Sequence, residues 1–168
     1  MVNTMISNEK AAAILKDFGQ LISLGILEFD EDQNCRLVYN DNVYLSISFD
    51  PEHDAIVLST YVAPFPERNA NSVLKALLEA NYFWLGTNGA TLSIDSESSR
   101  IAMMTQIKVE NLDVSEFHLF IQAFVDSTEA WSEMIRSLEA GEDSNSENGI
   151  SAKGEISQNP EMDFRGRV

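Results

Sequence analysis

Val43-Tyr44-Leu45-Ser46-Ile47-Ser48-Phe49 places an apolar side chain at every second position. Successive side chains of a strand point to opposite faces, so Val43, Leu45, Ile47 and Phe49 share one face and Tyr44, Ser46 and Ser48 the other. The segment therefore reads as a strand with one buried side. A sheet made of such strands has to bury its apolar face against another layer, and the flanking sequence must supply both partner strands and covering helices.

Upstream, Arg36-Leu37-Val38-Tyr39 is a second short strand, entered from the acidic turn Asp30-Glu31-Asp32. Before it, Ala11, Ile14, Leu15, Phe18, Leu21 and Ile22 recur at spacings of three and four, which predicts an amphipathic helix over Asn8 to Leu24 with Gly25 as its stop. Downstream, Asp50-Pro51-Glu52-His53-Asp54 has turn chemistry, and Ala55 to Val62 is a third strand. Pro64 and Pro66 break the sheet; Asn69 or Asn71 is placed to cap a helix through Val73, Leu74, Leu77, Leu78 and Tyr82 toward Trp84. Gly86-Thr87-Asn88-Gly89 ends that helix, and Ala90 to Ile94 with Ile101 to Val109 forms a hairpin around the polar turn Asp95 to Arg100. Asp113 and Glu116 sit at capping-box positions for a last helix, whose apolar side carries Phe117, Phe120, Ile121, Phe124, Val125 and Met134.

The expected fold is α+β: a five-stranded twisted antiparallel sheet with three helices, in the order α-β-β-β-α-β-β-α. One folded domain is expected over residues 1–138. Residues 139–168 change to Gly, Ser, Asn and Glu with few large apolar side chains, a composition that predicts a disordered acidic tail. The tail has seven acidic and three basic residues, so −12 of the net charge of −16 belongs to residues 1–138. A field of that sign repels nucleic acid and anionic lipid and favours basic segments of a partner. No stretch approaches the roughly 18 apolar residues of a membrane span, and residues 1–10 lack the pattern of a secretory signal. The reading is a soluble cytoplasmic protein with no membrane insertion.

Chemical motifs are weak. Asp30-x-Asp32-x-Asn34 begins like a calcium loop, but Cys35 stands where the turn needs Gly and Asp41 where a bidentate Glu belongs. Gly86 and Gly89 lie between a helix and a strand, the reverse of a phosphate loop. His53 and His118 are too isolated for a metal site, and Cys35 is the single cysteine, so neither a disulfide within the chain nor a cysteine zinc cluster can form. No nucleophile elbow or Cys-His pair is present. We expect no enzyme activity, no cofactor and no metal. Tyr82-Phe83-Trp84 is the notable cluster: three consecutive large rings cannot all face one core, and such residues favour subunit interfaces.

Leu77-Leu78-Glu79-Ala80-Asn81-Tyr82-Phe83-Trp84, followed by Gly86-Thr87-Asn88-Gly89-Ala90-Thr91-Leu92-Ser93-Ile94-Asp95, resembles the helix end, glycine turn and strand of the Tir chaperones, the class I chaperones of bacterial type III secretion. The Leu112 to Trp131 segment, with Phe124-Val125 and Ala130-Trp131, is similar in the same way, and the likeness spans Ile6 to about Leu138. It implies a homodimer joined through the second helix, with Leu74, Leu78, Tyr82, Phe83 and Trp84 at the interface. It also implies that an extended effector segment wraps each subunit, and that the secretion ATPase is a further partner. With the wide stripe of the first helix, it points to Ile14, Phe18, Leu37 and Val43 as the effector-binding set. A regulatory protein-binding dimer of the same fold, unconnected with secretion, is the alternative reading. The acidic tail is a departure from the family pattern.

Overall fold

The computed structural model describes residues 2–141, with side chains from Ser7 onward. The tail expected from residue 139 therefore lies, from residue 142 on, outside the described residues. The elements are α1 (Val2–Leu21), β1 (Asn34–Tyr39), β2 (Val43–Asp50), β3 (Ala55–Pro64), α2 (Ala70–Asn81), a 3-10 turn (Tyr82–Trp84), β4 (Thr91–Asp95), β5 (Arg100–Lys108) and α3 (Val114–Ala140). This is the expected order of three helices and five strands. The sheet runs β1-β2-β3-β5-β4, every neighbouring pair antiparallel.

The expected alternation is borne out in β2, where Val43, Leu45, Ile47 and Phe49 are all buried. With Leu37, Ile56, Leu58, Ile101 and Met103 they form one apolar sheet face, covered by α1 and α3 through Leu15, Phe18, Phe117 and Ile121. Phe18 meets Phe117 edge to face at 5.3 Å between ring centroids. Each such side chain contributes roughly 1.5–3 kcal/mol on burial, so this single layer contact dominates the stability of the domain.

Three element ends depend on particular side chains. Gly19 admits the returning chain after α1: a Cβ there would run into the Gly25 carbonyl oxygen and lie 2.8 Å from Leu27 Cγ. Asp113 caps α3 as expected, its carboxylate accepting from the Glu116 N–H at 2.8 Å. Asn69 does not cap α2 with its side chain. Its amide instead donates to the Leu138 and Glu139 carbonyls (3.1 and 3.3 Å), binding the end of α3 to the start of α2.

Candidate protein-binding surfaces

Both long helices cover the same face, and among the described residues no helix lies on the other face of the sheet. Arg36, Ser46, Ser59, Met104 and Thr91 stand opposite one another in register across all five strands. Beside them lie the pairs Val38 with Tyr44, Tyr61 with Ala102 and Ala102 with Ser93. The twist of the sheet turns this face into a groove of about 740 Å³, walled by Val38, Tyr44, Tyr61, Ile94 and Met104. Tyr44 is 70% exposed. At one end the Tyr61 hydroxyl donates to Asp95 at 2.8 Å, and the Arg100 guanidinium lies 5.0 Å from the Tyr61 ring centre. Hydrogen bonds from Ser98, Tyr61 and the Glu97 N–H hold the Asp95 carboxyl down at about 2, so it stays anionic.

A second apolar surface lies at the end of α2. The expected helix to Trp84 stops at Asn81, because Phe83 (φ 51°) and Trp84 (φ 55°) take the left-handed conformation. The resulting turn projects Leu78, Tyr82, Phe83, Trp84 and Leu85 outward, from 54% exposed at Trp84 to 81% at Leu85. The backbone around this turn is tightly fixed. The Asn81 side chain donates to the Leu92 carbonyl and accepts from the Leu92 N–H, both at 2.9 Å, satisfying the outer edge of β4. A Cβ on Gly86 would approach Ala80 Cβ to 2.9 Å, and Trp131 Nε1 donates to the Gly86 carbonyl at 2.9 Å. Asn88 donates to Ser127 Oγ at 2.9 Å. The turn is thus anchored from below by α3 while its large side chains face outward.

A profile of the Tir chaperone protein (CesT) family matches residues 13–132. The chain belongs to that family. The Tir chaperone of Citrobacter freundii is 22% identical over 122 residues, which cover 73% of this chain and 77% of that protein. Among solved structures, the HopA1-SchA chaperone-effector complex is similar with a TM-score of 0.65 at 21% identity, covering 76% of this chain and 97% of the matched one. The ExsC-ExsE complex is similar with a TM-score of 0.68 at 18% identity, covering 76% and 95%. These likenesses show a shared fold. The Tir chaperone segment from Leu77 to Asp95 has a physical content in this structure: Ala80 and Gly86 touch, Asn81 serves β4, and Trp131 ties the turn to α3.

Within this Tir chaperone fold the two groups of residues named from sequence separate sharply. Of the α2 group, Leu78, Tyr82, Phe83 and Trp84 are exposed together and Leu74 is half-buried beside them. Ile14, Phe18, Leu37 and Val43 are at most 8% exposed. All four pack in the layer between helices and sheet. Leu37 alone also lines the groove. Sequence reasoning passed over Tyr44, Tyr61 and Met104. Their signal was present, since each is a large side chain at an outward strand position where Ser or Lys would suit solvent. That the three lie together on one face was not readable from any one strand.

Among the described residues no helix is long and apolar enough to cross a membrane, and no cluster of three or more His, Cys, Asp or Glu side chains could hold a metal ion. The calcium-like stretch is an Asx turn, Asp30 Oδ1 accepting from the Asp32 and Asn34 N–H groups at 3.0 and 2.9 Å.

Proposed function

We propose that this chain is a cytoplasmic homodimeric chaperone that holds an extended, non-globular segment of a type III secretion effector, keeping it soluble and ready for export, with no catalytic step. The observation that carries this reading is the open apolar groove across the helix-free sheet face, in a chain of the Tir chaperone family. An extended peptide places alternate side chains into such a groove, and Val38, Tyr44, Tyr61, Ile94 and Met104 give it apolar contact without demanding one sequence. β1 pairs only with β2 among the described strands, so its outer edge adds a row of backbone donors and acceptors for a cargo strand. The surface from Leu78 to Leu85 joins two copies, with Leu74 completing it from within. The net charge of −16 keeps the complex dispersed and draws in basic cargo. Hand-over of cargo to the secretion ATPase belongs to the same proposal, as does a folded unit of residues 1–138 that stands without the tail.

Co-purification from the native cell, with identification of what travels with the protein in stoichiometric amount, tests this reading. Tyr44→Asp and Met104→Asp each put a charge into the groove at a cost of several kcal/mol. Both are expected to lose the effector while circular dichroism and dimer mass stay native. An effector retained by both variants contradicts the assignment of the groove.

A further inference from the structure

The sheet leaves a stretch of backbone edge uncovered within its own strand order. β4 begins at Thr91, opposite Met104, whereas β5 runs on to Lys108. Among the described residues no strand pairs with Thr105 to Lys108 on the β4 side. Two sets of bonds fix which way the backbone of this stretch points. Leu92 turns its N–H and C=O away from β5, to Asn81, so Thr91 and Ser93 bond β5, and their partners Met104 and Ala102 face β4. Val109 sends its N–H the opposite way, to the Asp54 carbonyl beside β3. Alternation along the strand then aims the N–H and C=O of Gln106 and Lys108 at the uncovered side.

Beside this edge, between β5 and the first turns of α3, lies a slot of about 370 Å³. Buried Ile107 and Leu112 line it together with the Phe120 ring, which is 49% exposed. Glu110 and Glu116 line it as well, and neither carboxylate has an ion pair among the described residues. The neighbouring cations are engaged elsewhere, Lys10 donating to the Glu110 backbone carbonyl and Lys108 to that of His53. α3 runs back along β5: it starts at Asp113, just past the end of β5, and at Ser127 it meets Asn88, whose neighbour Gly89 accepts from Thr105. Glu116 therefore stands at the Lys108 end of the slot and Phe120 one turn nearer Thr105. Four helical residues rise about 6 Å and two strand residues about 6.7 Å, so this pair on α3 matches alternate residues of an added strand. Laid antiparallel on β5, as β4 is, that strand enters at the Glu116 end. Its first and third side chains, opposite Val109 and Ile107, face α3, while its second and fourth residues bond the backbone of Lys108 and Gln106.

We propose that this slot docks a partner protein other than the cargo, through a short extended segment of the pattern basic-x-apolar-x. The basic side chain meets Glu116 and Glu110, the apolar one packs on Phe120, and the segment extends the sheet where β4 stops short. No residue lines both this slot and the sheet-face groove, so the two fill independently. The partner thus engages the chaperone with its groove already occupied; that order of events rests on the reading of the groove, whereas the docking itself does not.

The test uses the full-length protein and a fluorescein-labelled synthetic peptide, Thr-Thr-Lys-Thr-Leu-Thr-Thr. Saturable binding by anisotropy is expected, with shifts of the Gln106 and Lys108 amide signals in 15N NMR. Phe120→Ala and Glu116→Lys, both at exposed positions, should weaken it about tenfold or more, as should glutamate in place of the peptide's lysine. Tyr44→Asp should bind the peptide as wild type does. No saturable binding, or an affinity indifferent to all three changes, overturns the proposal. Shifts centred on Tyr44 and Met104 overturn it by placing the peptide in the groove. Gln106 and Lys108 signals that move on dilution of the protein alone overturn it in favour of a second copy on this edge. Should Phe120→Ala lose its native circular dichroism, Glu116→Lys and the glutamate peptide decide the matter without it.

Discussion

Asn81 closes the edge of β4 with one side chain, donating to and accepting from the backbone of Leu92 as a neighbouring strand would. Asn81→Ala leaves both backbone groups without that partner and is expected to destabilise the protein by about 1–3 kcal/mol in a urea titration. A midpoint equal to wild type would show that water replaces the amide at no cost. Asp95 gives a second residue-scale expectation. Its carboxyl is lowered from 3.8 to about 2, so its contribution is complete above pH 4 and is lost as the pH falls toward 2. Tyr61→Phe removes one of the four hydrogen-bond donors and should raise the midpoint seen in a carboxyl NMR titration; an unmoved midpoint removes Tyr61 as a cause. At this scale little was legible beforehand. Asn81 and Gly86 stood out as part of a family likeness, but their partners Leu92, Ala80 and Trp131 are brought together by the tertiary fold and carry no local signal.

At the scale of elements the periodicities were sufficient to find all three helices and five strands, because each buries one face and the spacing of apolar residues records it. Their ends were less legible. The helical spacing that carries α2 through Leu77 and Leu78 gives no warning that Phe83 and Trp84 turn left-handed, a conformation that costs a bulky residue about 1–2 kcal/mol. Such strain at two of the five exposed side chains accords with the interface proposed for this surface. Phe83→Gly separates the two contributions. It relieves the backbone and removes the ring, so unfolding of the isolated subunit is expected to change little while the dimer dissociates at least tenfold more readily in a dilution series. A dimer unaffected by the change places the interface elsewhere. Gly19→Ala, by contrast, forces a Cβ into the Gly25 carbonyl and should lower stability by about 1–3 kcal/mol, read as a lower thermal midpoint.

Among the described residues α1 and α3 both sit on one side of the sheet, and that asymmetry supplies the proposed function. The covered face was legible in the alternation of β2, but not the apolar groove on the opposite face, since Tyr44, Tyr61 and Met104 come together only through the pairing of β2, β3 and β5; Ile14 and Phe18 of α1, with Leu37 and Val43 of the strands, pack in the core. Light scattering at micromolar concentration should return about twice the chain mass of 18.7 kDa, and a monomer there contradicts the dimer. The central claim is that cargo lies extended along the sheet face. It is tested most directly by placing a photo-cross-linking residue at position 44 and, as a control, at Leu119 on the exposed side of α3. After irradiation in the native cell, position 44 should capture one secreted effector through a single continuous stretch that is protease-sensitive when free. Capture at position 119 but not at 44, or cross-links scattered over a folded cargo domain, would contradict it.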